Sequence, residues 1–439
     1  MKKGLMKELE FDDFINNYES SDSLKLSDEF KKQVTDILNE VKLSQDNALI
    51  SFSKKFDNVV FSSPESFKFK KKDFKNSYEK LDKNIIENLE YLKERIVKFH
   101  SKRLIRNWKD KDSAFNEYGQ VVRPIKRVGL YAPGGTATYP SSVLMTSVLA
   151  NLAGVEEILV SFPPSNKEVT NLMLASCHIG EVKEAISIGG AHSIAAMAFG
   201  TNSVKKVDKI FGPGNKYVAE AKRQLYGIVG IDSLTGPSEV MIIADSSANP
   251  EFIAADLLAQ AEHGTDSSCF LILIGEGIKE NVNEALIDQL NKLSRSEIAK
   301  KSLKDFSFLV EVNNLSDAEK ICNLVHPEHL QISIENLDNI IKENFSAGAI
   351  FIGASNSAVF GDYCAGPSHV IPTNGASRFS SQVSLNDFLI TSSYSILSEN
   401  HDSKELQKVI KNSIEIAELE GLFAHSEALK LRKKNIETN

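Results

Sequence analysis

Glu328 and His329 stand side by side in the stretch VHPEHLQI (325–332), at the mouth of a β-branched run that reads as a strand. Pro327 bars helix just ahead of them and biases His326 toward extended geometry. Side chains alternate across a strand, so the two residues can serve one cavity from two directions. A histidine titrates near neutrality and a carboxylate acts as base or orienter, so the pair suits repeated proton transfers. In isolation it would read as a histidine capped by its neighbour. Its weight comes from the other polar clusters of the chain.

Gln260 and His263 lie three apart on an expected helix that Gly264 ends, so they share one face. His263 suits a metal, whereas glutamine is a rare ligand; a histidine favoured by the helix dipole is the competing reading. Asp362 and His369 flank the turn GDYCAGPSHV, where Gly361, Gly366 and Pro367 force irregular backbone. Glu420 and His425 in LEGLFAH are separated by the helix-breaking Gly421 and alone read as surface residues. Pooled, these clusters offer Gln, His, Asp and His, a mixed nitrogen and oxygen set that suits zinc.

The elements that must position these groups alternate strand and helix. From Arg127, strands are expected near 127–131, 157–161, 184–188 and 209–211, with helices at 141–153, 169–178, 193–200 and 216–226. A second series places strands at 240–244, 268–274, 306–312, 330–334 and 347–352, with helices between. The expected fold class is therefore α/β, with two Rossmann-like parallel-sheet domains in tandem. Residues 6–18, 28–42 and 78–99 read as helical, as does 403–433 at the end of the chain. The lysine-rich run 68–75 reads as a solvated face or loop, and Trp108 as buried. Gly-rich turns at 133–135, 189–190 and 212–214 each precede a helix whose free N–H groups suit an anion such as a pyrophosphate. The fingerprint GxGxxG is absent.

Composition sets the outer bounds. The chain has 439 residues, 42% hydrophobic and 25% charged, with a formal charge of −8, which disfavours nucleic acid and favours a small-molecule role. No apolar run is long enough for a membrane span, and the amino terminus lacks the apolar core of a secretory signal. Cys177, Cys269, Cys322 and Cys364 are scattered, read as small buried hydrophobes, and fit a cytoplasmic location.

Six motifs add a resemblance. LYAPGG (130–135), FGPGN (211–215), TGPSEV (235–240), LLAQAEHG (257–264), PEHLQI (327–332) and GDYCAGPSHVIPT (361–373) resemble histidinol dehydrogenase, in that family's order and at matching spacing, across roughly 28–430. The resemblance implies a zinc- and NAD-dependent oxidation of L-histidinol through the aldehyde to L-histidine, the last step of histidine biosynthesis, with two NAD reduced. It implies one zinc per subunit, held by Gln260, His263, Asp362 and His425, the last from the other subunit of an intertwined homodimer. His329 would be the general base and Glu328 would activate water. Ser238, His369 and Glu420 would join the zinc ligands and His329 in touching substrate, and Tyr131, His192 and Asn215 would touch NAD. His192 replaces the family's usual glutamine, which would alter NAD affinity, and Ser368 stands where Asn or Thr is more usual.

The resemblance also implies discontinuous domains: an arm at 1–28, a substrate and zinc domain at 29–126 plus 243–383, an NAD domain at 127–242, and a helical dimerisation segment at 384–439. Three other readings compete. A same-fold enzyme for a sulfonated diol would want Arg, Lys or N–H groups where histidinol wants Glu420. A zinc hydrolase would make no use of the dinucleotide-side motifs. A non-catalytic oligomeric binding protein would have no use for an intact Glu/His pair.

Overall fold

The structure, a computed structural model, describes residues 4–18, 26–134, 138–336, 340, 344–400 and 403–438. Gly135 of the first Gly-rich turn and most of the Ser/Asp-rich stretch 19–27 lie outside the described residues. The strands are β1 (Lys7–Leu9), β2 (Lys68–Lys70), β3 (Trp108–Asp110), β4 (Phe115–Pro124) and β5 (Arg127–Tyr131). Next come β6 (Glu157–Ser161), β7 (Glu184–Ile186), β8 (Lys209–Phe211), β9 (Gly230–Ile231) and β10 (Glu239–Asp245). The last are β11 (Ser268–Ile274), β12 (Phe308–Val312), β13 (His329–Ser333), β14 (Ala349–Ile352) and β15 (Leu389–Leu397).

Two compact units result, Met1–Arg103 with Ile125–Phe388, and Leu104–Pro124 with Leu389–Asn439. The first holds two six-stranded sheets, ordered β2-β7-β6-β5-β8-β9 and β1-β12-β11-β10-β13-β14. Within each, five parallel strands follow the order third, second, first, fourth, fifth, so the expected α/β class with two parallel sheets holds. Strands such as RVGLY, EVMIIAD and SCFLILI are apolar along nearly their whole length because helices cover both faces. Asn side chains cap several of these helices, among them Asn215 at Lys216–Leu225 and Asn249 at Pro250–Ala261.

The remaining elements differ from the expected grouping. The helices Asp28–Ser44 and Asp46–Phe56 bury Val34, Ile37, Val41 and Leu49 against Tyr131, Leu159 and Ile186, so they pack on the first sheet and not the second. Residues 68–70 form β2, an antiparallel edge strand of that sheet, where the half-buried Lys68 and exposed Lys70 suit an edge. Residues 7–9 extend the edge of the second sheet as β1 instead of continuing a helix, and Phe14 packs beneath that sheet. His326 takes the left-handed conformation (φ 50°, ψ 59°), because it caps helix Leu315–Val325 before Pro327.

The second unit is a three-stranded antiparallel sheet, β15-β4-β3, with helices Lys404–Leu419 and Phe423–Thr438 separated at Gly421 (φ 72°). β15 lies in the stretch 384–439 that was expected to be helical, and no strand was expected at β3 or β4. Trp108, on the edge strand β3, is exposed where burial was expected. No helix among the described residues is long and apolar enough to cross a membrane.

His100, at the end of helix Lys83–His100, is fully buried with neither ring nitrogen partnered, and burial pushes it down to about 4. Its folded pKa lies below its unfolded value, so unfolding takes up a proton between about pH 6.5 and 4. The stabilisation is complete above pH 6.5 and is lost as pH falls. A His100→Leu variant is expected to gain stability over wild type as pH drops from 7 to 5, read as a shrinking or reversing difference in urea midpoints. A constant difference would contradict this.

Candidate active site

A cavity of about 860 Å³ lies within the first unit. One wall comes from the turns after β5 and β8, at Pro133, Gly134, Pro213, Gly214 and Asn215. These are carboxyl ends of neighbouring strands at the point where strand order reverses. Gly212 opens the second turn at φ 113°, and a Cβ there would lie 2.0 Å from the Tyr131 carbonyl oxygen, so only glycine fits. The opposite wall is built from amino ends of the second sheet: Ser238 before β10, Ser267 before β11, and Glu328 and His329 at the start of β13. The usual preference for carboxyl ends therefore holds for one sheet only. Helices run back against parallel strands, so helix Pro250–Ala261 brings Gln260 and, just past its end, His263 to the same side.

Glu328 and His329 are both buried and share one anchor, the backbone of Glu239. The Glu239 N–H donates to Glu328 Oε2 at 2.9 Å, and its carbonyl oxygen lies 3.1 Å from His329 Nδ1. A carbonyl can only accept, so Nδ1 carries the proton and Nε2 keeps its lone pair. Nε2 has no hydrogen-bond partner. Burial pushes His329 down to about 4, so the ring is neutral at pH 7 and free to accept a proton. Burial pushes Glu328 well above the usual carboxylate range, and the nearby Glu239 and Asp362 add to this. Glu239, itself buried, is raised to about 7 and accepts from the Asn374 N–H.

Asp362 and His369 also line the cavity. His369 is oriented at both nitrogens, with Nδ1 3.0 Å from the Asp362 carbonyl oxygen and Nε2 3.0 Å from Ser142 Oγ. Burial pushes Asp362 up to about 7. Gln260 is buried with its amide nitrogen unpartnered. A divalent cation would favour the ionised carboxylate of Asp362 and could take oxygen from Gln260 and nitrogen from His263. Among the described residues no group of three or more His, Cys, Asp or Glu forms a metal cluster. Only two of the three candidate ligands in this unit, His263 and Asp362, belong to those residue types.

The structure thus gathers Asn215, Ser238, Gln260, His263, Glu328, His329, Asp362 and His369 around one cavity. Tyr131 and His192 do not line it. The Tyr131 hydroxyl accepts from the Gly190 N–H at 3.1 Å, bracing the turn at 189–190. His192 is buried beside the rings of Phe52 and Phe56, its Nε2 unpartnered. Asn215 turns its side-chain oxygen back to cap helix Lys216–Leu225, which leaves its amide N–H groups for a ligand. Glu420 and His425 belong to the second unit, where both are exposed. Sequence reasoning overlooked Ser142 and Glu239. Ser142 sits in an almost wholly buried helix, Pro140–Ala153, where its hydroxyl reads as incidental.

The model for the histidinol dehydrogenase family matches residues 21–433 of the chain. The chain is 41% identical over 411 residues to the histidinol dehydrogenase of Caldanaerobacter subterraneus subsp. tengcongensis, covering 93% of each protein. It is 42% identical over 407 residues to that of Clostridium acetobutylicum, covering 92% of this chain and 93% of the relative. The crystal structure of histidinol dehydrogenase from Elizabethkingia anophelis superposes with a TM-score of 0.89 at 32% identity, covering 100% of both chains.

Proposed function

The chain belongs to the histidinol dehydrogenase family, NAD-dependent oxidoreductases of histidine biosynthesis that generally also use zinc, and we propose that its cavity runs both oxidations of L-histidinol. The observation that carries this is His329, fixed at Nδ1 by the Glu239 carbonyl and free at Nε2. His329 takes the hydroxyl proton while hydride leaves the alcohol carbon for NAD, giving the aldehyde and NADH. Glu328 takes a proton from water as its oxygen adds to the aldehyde carbon. The anionic hydrate so formed then yields its hydride to a second NAD and becomes the acid. Burial raises the proton affinity of the Glu328 carboxylate, which makes it the stronger base when ionised.

Gln260, His263 and Asp362 would hold zinc, with His425 as the fourth ligand. Bound there, zinc holds and orients the nitrogen-rich substrate. Ser238 and His369 hold substrate groups, and Glu420 faces the substrate's cationic amine. The turns at Pro133–Gly134 and Gly212–Asn215 offer N–H groups to the NAD pyrophosphate, with Asn215 as a side-chain donor and Tyr131 and His192 bracing the adjoining wall. With L-histidinol, two NADH are expected per molecule consumed, lost on chelation and restored by zinc. One NADH, or turnover indifferent to chelation, overturns the reading.

His425 and Glu420 reach a site of this kind from a second copy of the chain. The second unit supports that assembly: among its described residues the buried apolar side chains are Ala114, Leu406, Ile410, Ala417 and Ile436, while Ile416, Leu419, Leu422, Phe423 and Leu431 are exposed. Apolar groups spread so densely over a small unit call for a partner surface. A Leu419→Asp, Phe423→Asp double variant is expected to shift the light-scattering mass from dimer to monomer and to lose most activity. Wild-type protein that is monomeric and fully active would contradict it.

A further inference from the structure

Three polar side chains outside the cavity lining, those of Asp256, Gln331 and Ser357, form one hydrogen-bonded network. Gln331 Nε2 donates to Asp256 Oδ2 at 2.7 Å, and Ser357 Oγ donates to Asp256 Oδ1 at 2.6 Å. Gln331 Oε1 in turn accepts from the Ala358 N–H at 3.2 Å, and Ser357 Oγ from the Val359 N–H at 3.1 Å. Each member sits one step behind a candidate metal or catalytic residue on the same element. Asp256 precedes Gln260 by four residues on one helical face, and His263 follows just past the end of that helix. Gln331 shares a face of β13 with His329, two residues on. Ser357 and Ala358 lead into Val359–Asp362, the short helix that ends on Asp362.

We infer that Asp256, Gln331 and Ser357 are positioning residues that lock helix Pro250–Ala261, strand β13 and segment 357–362 into the spacing at which Gln260, His263 and Asp362 bind zinc. The inference rests on the zinc reading above. Gln331 is almost wholly buried, so its amide has nowhere else to turn, and the carboxylate of Asp256 is the one group accepting from both other side chains. Partners of this kind, one layer behind metal ligands, set ligand orientation and typically change metal affinity on the order of 10–100-fold when removed.

The test is zinc affinity of the full-length protein, measured by competition with a chromophoric chelator after metal removal. Asp256→Asn keeps size but replaces one of the two accepting oxygens by a donating NH2, so either Gln331 or Ser357 loses its acceptor. It is expected to weaken zinc on the order of 10–100-fold. Ser357→Ala, which removes one hydroxyl and threatens folding least, is expected to weaken it less. The double variant should fall short of the sum, because both lesions open one network. Variants that bind zinc within about twofold of wild type, whatever their melting temperature, overturn the inference. Wild-type protein that binds no zinc overturns the zinc reading and this inference with it. Zinc-binding wild type with unaltered variants overturns the inference alone.

Discussion

Replacing His329 by alanine is expected to lower kcat for L-histidinol by about 10²–10⁴-fold, the usual contribution of a positioned general base. The expectation follows from geometry. Nδ1 is held 3.1 Å from a carbonyl oxygen that can only accept, and Nε2 is buried and unpartnered, so the ring presents a single free acceptor. The imidazole touches no part of the Gly-rich turns, so KM for NAD should change little. The pH profile carries a second sign. The neutral ring is the active form, and burial pushes its pKa down to about 4, so protonation of His329 itself limits kcat/KM only below the ordinary histidine range. An alanine variant within tenfold of wild type would remove His329 from the role.

The second large effect lies on the dinucleotide side. Asp232 and Lys222 form an ion pair whose side chains are 0% and 1% exposed. Asp232 Oδ2 accepts from the Gly212 N–H at 2.7 Å and Lys222 Nζ donates to the Gly212 carbonyl at 3.0 Å. The pair therefore grips both backbone groups of Gly212, whose φ of 113° other residues do not adopt easily. Asp232→Ala leaves a buried ammonium without its counter-charge, which costs about 3–5 kcal/mol. It should also loosen the turn that leads to Asn215. Lower denaturant midpoints and a raised KM for NAD are expected together. A Lys222→Met, Asp232→Leu double variant separates the two, since it removes the uncompensated charge but not the need for the grip. Stability should largely return while KM for NAD stays high. Recovery of both would reduce the pair to a stabilising contact.

How much of this was legible in the residues depends on whether an interaction runs along one element or across several. Gln260 and His263 share a helix face, and Glu328 and His329 a strand mouth, so spacing alone pairs them. The two parallel sheets were legible for the same reason: uniformly apolar runs such as SCFLILI can only be strands covered on both faces. Ser142 and His369 meet across 227 residues, which no periodicity signals. Glu239 anchors both central residues through its backbone, a role that any residue type could fill. His326 was expected extended, yet the need to end a helix and turn into β13 outweighs the bias from Pro327. The strands of the second unit were hidden because β4 mixes exposed and half-buried positions, with neither clean alternation nor an apolar run. Segment 28–56 packs where its apolar stripes meet the first sheet, a choice that helical spacing leaves open.

The division of labour between Glu328 and His329 is tested most directly by counting NADH formed per L-histidinol consumed by a Glu328→Gln variant, with semicarbazide present to trap aldehyde. Glutamine keeps the hydrogen bond from the Glu239 N–H but cannot take a proton from water. With His329 intact, one NADH per histidinol and a trapped aldehyde are the expected result. Two NADH at close to the wild-type rate would contradict the assignment and place water activation on another group.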